Sequence, residues 1–345
     1  MQLEQNQQVD LSQAYLAERK KFRNKKLYTL AVLALISILL FYASVAYGTK
    51  TYSLGYIFET LRTPDSVDYF AIYDYRLPRS ICAIFVGMGF AISGLLIQSV
   101  LNNDLASGET LGINNCAGLF SVIAILIFPV ASTYALPLFA LVGGILSFLF
   151  IWGIVRSKTS VTNIVIIGVA LATLYGSITN FILLSFKIEI SSTLVWLTGS
   201  LWGRTWTQIY YYVPWLVFFC ILSLITCKVL DIFPLRGAKV RNLGYNVQKW
   251  RLIILLLATI ISSISVSITG PIAFLGLIAP HIARRMFGNK HVFLIFGAAL
   301  IGAILLQSAD ILARTIKPPV EFPTGVLTSV IGAPYFFYLL IKKRS

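Results

Sequence analysis

Charge is what this sequence has least of. Only 12% of its 345 residues are Asp, Glu, Lys or Arg, against 57% hydrophobic residues, and the mean hydropathy is +0.82. A water-soluble domain is excluded by that balance. Acidic residues are scarcer still, thirteen in all, and they fall in loops or at the ends of apolar runs. An ion-coupled carrier keeps an ionisable group near the middle of the bilayer, where burial is costly without a use. The sequence places none there, although Asp310 and Glu321 lie near run boundaries. Histidines number two, and the four cysteines (Cys82, Cys116, Cys220, Cys227) lie inside apolar segments with no C-x-x-C pair, so no metal site is expected. The sequence has no G-x-x-x-x-G-K-[ST] loop to hold ATP, no G-x-S-x-G elbow and no H-E-x-x-H pair, so it is not read as an enzyme and no cofactor is expected in this chain.

What the chain does have is long apolar runs. Alternating ten-residue segments of the β-barrel kind are missing, which leaves an all-α polytopic membrane protein. Runs at about 27–47, 80–101, 111–129, 136–156, 163–185, 208–228, 250–269, 272–287, 292–312 and 324–341 make about ten transmembrane helices. The net charge of +15 would suit nucleic acid, but the basic residues sit at the ends of the apolar runs, as topology signals facing anionic lipid do. No nucleic-acid partner is expected. With the amino terminus inside, the cytoplasmic segments carry twenty of the twenty-eight Lys and Arg, and an even number of spans returns the basic carboxyl terminus to the same side. Residues 1–26 read as a separate polar leader ending in Arg19, Lys20, Lys21, Arg23, Lys25 and Lys26, followed by a transmembrane domain over 27–345. The leader's length and that of the run after it favour a retained span over a signal peptide.

Small residues recur along two runs, Ala83, Gly87, Ala91, Gly94 and Gly168, Ala172, Gly176, a spacing that lets helix backbones approach closely in lipid. Breaks are expected at Gly270-Pro271, taken as an external turn, and at Pro280, since proline removes a donor and clashes with the preceding turn. Three arginines, Arg76, Arg79 and Arg314, fall near the outer ends of three spans. Each alone is an interfacial anchor; together they could form a positive patch for carboxylates on a soluble partner. The longest internal loop, 229–249, suits a docking helix ending near Gly244, and residues 102–108 form a turn-rich internal loop.

Several of these stretches match one known pattern. Arg76-Leu-Pro-Arg79, Gln98 before Asn103-Asp104-Leu105-Ala106, Leu111-Gly112-Ile113, Gly270-Pro271 through Pro280-His281 with Arg284, Ala309-Asp310 to Arg314, Glu321 to Gly325 and Ile331 to Pro334 occur in order along residues 27–341. In them the chain resembles the iron-chelate and cobalamin permease family. That resemblance implies a type II ABC importer permease fold in the bacterial cell membrane, working as a homo- or heterodimer with two cytoplasmic ATPase subunits that bind ATP and magnesium, and an external substrate-binding protein. It implies that Arg76, Arg79 and Arg314 meet acidic residues of the binding protein. It further implies that the loop carrying Arg236, Lys239, Arg241 and Gly244 contacts the ATPases, and that Asn103, Leu105, Val161 and Thr162 form a cytoplasmic gate. Asp104 stands where the family usually has proline, adding a charge and removing a rigid turn. The expected cargo is a ferric siderophore, with haem or cobalamin as alternatives and a proton-coupled carrier as the rival mechanism.

Overall fold

A computed structural model describes residues 2–128, 132–155, 161–186, 190–233, 246–318 and 320–342. Among the described residues the regular structure is helical, apart from one isolated bridge between Lys317 and Val320. The expected apolar runs appear in order as α1 (Gln2–Ala46), α3 (Leu77–Leu101), α4 (Ile113–Ile127), α5 (Ser132–Val155), α6 (Val161–Ser185), α8 (Trp206–Ser223), α10 (Val247–Thr269), α11 (Leu275–Phe287), α12 (His291–Thr315) and α13 (Thr324–Lys342). Three short helices lie between them: α2 (Leu54–Arg62), α7 (Ile190–Leu197) and α9 (Cys227–Ile232). Seven of the helical stretches are long and apolar enough to cross a membrane. The leader expected as a separate segment is continuous with the first span, since α1 runs through the 26/27 boundary as one helix.

α3 is the central element, packed against α8, α10, α11, α12 and α1. Its small-residue stripe explains why. A Cβ at Gly87 would meet the Gly302 carbonyl of α12, and one at Gly94 would collide with the Gly276 carbonyl of α11. The second stripe packs only in part: Gly168 faces the Thr110 carbonyl, while Gly176 has nothing within 4 Å.

The two shortest of the ten helices reveal how the interior is built. α11, at 13 residues, spans roughly 20 Å, and α4, at 15 residues, little more. Neither crosses a hydrocarbon core of ~30 Å. Both begin inside the bundle. Gly108 lies against Asn114 and against Ser262 of α10, and Ser262 donates to Asn114 Oδ1 at 2.6 Å, so the loop 102–112 folds back along α10 before α4 starts. On the other side, Phe274 N–H donates to Glu109 Oε2 at 3.2 Å. A loop expected in the cytoplasm thus bonds to a segment expected outside. The Gly270-Pro271 turn itself packs against Trp196 and Gly199, in another segment expected outside, so the chain between it and Phe274 covers the distance between the two levels. α10 ends at Thr269, Gly270 takes φ +77°, and residues 270–274 run back down the bundle to the level of Gly94, where α11 begins.

Pro280 falls within the run expected over 272–287, at a position where proline ends or bends a helix. It lies inside α11 and does not end it. Proline supplies no hydrogen for the carbonyl four residues back, that of Gly276. Gln98 Nε2 bonds that carbonyl instead at 3.3 Å, and reaches Leu277 O at the same distance. The helix persists because α3 supplies the missing donor.

The segment after α1 is ordered by one carboxylate. Asp68 accepts from Lys50 Nζ at 2.6 Å, Tyr56 Oη at 2.8 Å and Tyr52 Oη at 3.0 Å. The Lys50 bond first, then that of Tyr56, hold its pKa down to about 2. That lies below an unfolded value of ~3.9, so the stabilisation is present above about pH 4 and is lost as pH falls through about 2.

Two measurements check this packing. Gly94→Ala should lower thermal stability in detergent by about 1–3 kcal/mol, because backbone faces backbone there, while Gly176→Ala should leave it unchanged or raise it. Hydrogen exchange over residues 50–69, corrected for the intrinsic rate, should accelerate as pH falls from about 4 towards 2; Asp68→Asn should exchange fast at neutral pH already.

Candidate functional site

Arg76, Arg79 and Arg314 converge at the end of the bundle where α1 finishes, α3 begins and α12 ends. They are 5%, 1% and 4% exposed, so the solvent-facing patch expected from sequence is not what they present. Their donors turn inward. Arg79 Nε bonds Asp310 Oδ1 at 2.9 Å, and its Nη1 bonds Glu321 Oε2 at 2.5 Å and Tyr75 Oη at 3.0 Å. Tyr75 Oη in turn donates to Glu321 Oε1 at 2.8 Å. Arg314, one turn after Asp310, pairs with Asp310 Oδ2 at 3.3 Å without hydrogen-bond geometry.

The remaining donors close helix ends. Arg76 Nη1 bonds Val45 O and Ala46 O at 2.8 and 3.1 Å, and Arg314 Nη2 bonds Ser44 O at 2.8 Å. These carbonyls of the last turn of α1 have no intrahelical partner, and a cation there also meets the negative end of the helix dipole. Arg204, which the sequence reading did not single out, treats α10 alike: its Nη1 bonds Ile268 O at 2.5 Å and its Nε bonds Trp202 O at 3.2 Å. Burial lowers its pKa.

The proposed gate turn lies at the other end of α3. Asn102 caps the helix at φ +50°, and Asn103 Oδ1 accepts from Leu105 N–H at 3.0 Å, folding the turn on itself. Leu105 is 40% exposed. Asp104 Oδ1 faces Arg284 Nε at 3.8 Å. Val161 and Thr162 open α6, and their side chains lie outside the described residues; α6 meets the 102–112 loop further along, at Gly168 against Thr110 and Ala172 against Gly112. Arg236, Lys239, Arg241 and Gly244 also lie outside the described residues.

Glu109 is a further residue that sequence reasoning missed. Its carboxylate holds the N–H of Phe274, a non-glycine residue at φ +64°, and burial raises its pKa although that bond opposes the shift. No local spacing signals it, because the partner lies 165 positions away.

The profile of the FecCD transport family matches residues 35–342 of the chain. The chain belongs to the FecCD family. Among curated relatives of this FecCD chain, the Fe(3+) dicitrate transport system permease protein FecD of Escherichia coli K12 is 41% identical over 80% of the chain and 86% of its own length. The Fe(3+)-citrate import system permease protein YfmE of Bacillus subtilis is 38% identical over 93% and 98%. The iron(3+)-hydroxamate import system permease protein FhuG of the same organism is 37% identical over 92% and 98%. A solved structure assigned to the metal-chelate type of ABC transporter, in an inward-facing conformation, superposes with a TM-score of 0.80 at 25% identity, covering 91% of this chain and 99% of its own. The expected fold, an all-helical multi-pass ABC permease, is the one found.

The buried ion pairs give a direct test. Asp310 is fully buried between two arginines, and removing one member of such a pair leaves uncompensated charge. Asp310→Ala should cost about 3–5 kcal/mol, read as a lower unfolding temperature or loss of folded protein from detergent extracts. Exposed Lys317→Ala, at the same end, should change it little.

Proposed function

We propose that this chain is the membrane subunit of an ATP-driven importer that carries a ferric siderophore, of citrate or hydroxamate type, into a bacterial cell. Full-length similarity to permeases named for Fe(3+)-citrate and iron(3+)-hydroxamate import carries the reading. A haem chelate is the second reading, favoured by the 32% identity to the probable heme-iron permease IsdF of Staphylococcus aureus.

In this reading the chain pairs with a second permease, its own copy or a similar one, and both termini face the cytoplasm. ATP and magnesium bind in two partner ATPase subunits, and this chain holds no cofactor. A loaded binding protein docks on the end of the bundle built over Arg76, Arg79 and Arg314. Those arginines hold that rim in shape, and direct pairing with partner carboxylates would require Glu321 to leave Arg79. Exposed cations on the same rim, Arg62 and Lys317, are then available for the first contact. Arg236, Lys239, Arg241 and Gly244 meet the ATPases, and Asn103, Leu105, Val161 and Thr162 close the path at the inner end. ATP biases the pair of permeases between outward and inward states by binding one of them better.

Uptake of radio-iron tests the reading, supplied in parallel as ferric citrate, as a ferric hydroxamate and as haem, to cells with and without this gene. Loss of uptake for one ferric siderophore, sensitive to ATP depletion and insensitive to a protonophore, is the expected outcome. Loss confined to haem would move the cargo to the second reading, and protonophore-sensitive uptake would replace the importer by a proton-coupled carrier. Reversing Arg62 and Lys317 to Glu is the cleaner docking test, because Glu at the buried arginines would unfold the rim.

A further inference from the structure

Asp310 and Glu321 share the pairing of Arg79, but the two carboxylates are held in different ways. Asp310 lies within α12, fully buried, with one oxygen on Arg79 Nε at 2.9 Å and the other facing Arg314 Nε at 3.3 Å. Drawing it out would break both contacts inside the protein, where an unpaired charge is costly. Glu321 lies on the connection between α12 and α13, outside any helix, and its side chain is 24% exposed. Of the two, it is the one that can leave into water.

Its departure asks nothing of the backbone. Phe322 N–H donates to Ala313 O at 3.0 Å, Thr324 Oγ1 to Asp310 Oδ1 at 3.4 Å, and Gly325 N–H to Gly199 O at 2.7 Å. These bonds fix the chain after Glu321, and the bridge between Lys317 and Val320 fixes it before. Rotation of the side chain alone would uncover the two donors that Glu321 holds. Those donors are already set for a carboxylate. Arg79 Nη1 bonds one oxygen at 2.5 Å, Tyr75 Oη bonds the other at 2.8 Å, and Nη1 also donates to Tyr75 Oη at 3.0 Å. A second carboxylate entering there would meet the same pair, with Asp310 still on Arg79 Nε.

We propose that Glu321 is a resident occupant of a carboxylate site formed by Arg79 Nη1 and Tyr75 Oη, and that an acidic side chain of the binding protein displaces it on docking. The inference rests on the importer reading, which supplies that binding protein. The exchange replaces one charge-assisted contact by another, so Arg79 is never left buried without its counter-charges. Where an occupant must leave first, apparent affinity falls with the fraction of time the site is free. A carboxylate tethered to the same chain acts at an effective concentration on the order of millimolar or above, so dissolved carboxylates compete poorly with it. A folded protein that presents its carboxylate together with other contacts on the rim does compete. Glu321 thereby sets both the affinity of docking and its selectivity for a protein over small anions. Arg79 and Asp310 keep their places, and the rim keeps its shape.

The test uses the complete assembly, this chain with its co-purifying permease and ATPase subunits, in lipid nanodiscs. Its affinity is measured for the binding protein loaded with whichever of ferric citrate, ferric hydroxamate or haem the cells take up. Glu321→Gln keeps the side chain's shape and an oxygen for Tyr75 but removes the charge on Arg79. It should bind the loaded protein ~threefold to ~tenfold more tightly than wild type. Glu321→Asp keeps the charge and shortens its reach, so it should tighten docking too, which relief of general repulsion would not do; it carries the test if Glu321→Gln does not fold. Glu59→Gln, exposed on α2, is the charge control and should leave affinity unchanged. Sodium acetate, set against sodium chloride at equal ionic strength, should weaken docking in the Glu321 variants and have no effect of its own in wild type. A Glu321 that merely holds the rim together would give weaker docking and a lower unfolding temperature when replaced. Wild-type or weaker affinity in the folded variants, equal tightening by Glu59→Gln, or acetate acting alike on variant and wild type would overturn the proposal. A wild-type assembly that binds no loaded protein would instead remove the importer reading and the exchange with it.

Discussion

In a bilayer, a backbone N–H or C=O without a partner has no water to turn to, and each such group costs several kcal/mol. Helices answer that demand along their length and fail to answer it at their ends. This protein has more ends inside its bundle than a simple array of spans would, because the backbone breaks at 102–112 and again at 270–274. The partners for those breaks come from side chains far away in sequence: Glu109 for the N–H of Phe274 and Gln98 for the carbonyl freed by Pro280. The central place of α3 follows from this, since it supplies both the donor at Gln98 and the bare backbone at Gly94 on which α11 rests.

The same demand explains the arginines at the other end of the bundle. Guanidinium groups carry several donors in a rigid fork, which suits them to two or three carbonyls at a helix terminus. Arg76 and Arg314 close α1, and Arg204 closes α10. Burying Arg79 and Arg314 at the same end needs counter-charge, and Asp310 and Glu321 provide it. A sequence motif that resembles a docking patch is thus first a device for ending helices in a medium that does not solvate them. A partner that docks here meets a rim already fixed in shape.

Much of the fold was legible in the sequence, because hydropathy and charge placement are local. The ten apolar runs and the close approach at Gly87 and Gly94 can be read from short windows. Depth could not. Nothing near Gly270-Pro271 says whether the break faces water or protein; that depends on Glu109, which belongs to a different loop. Whether Pro280 ends its helix was not legible for the same reason, its compensating donor lying 178 positions earlier. The arginines were legible as a group but not in their orientation. Asp310 is one turn from Arg314 and could have suggested an internal pair, whereas Glu321 reaches Arg79 across 242 positions.

The dependence of α11 on Gln98 also bears on how the chain is made. A helix of 13 residues with a proline-freed carbonyl and two arginines in its last turn is a poor candidate to enter lipid alone. It becomes acceptable to the bilayer only against α3, which emerges from the ribosome well before it. α3 must therefore wait in the membrane with its glycine face uncovered while the seven helices α4 to α10 are synthesised between it and its partner. A cell that withdraws α3 from solution early has already prepared the site for α11.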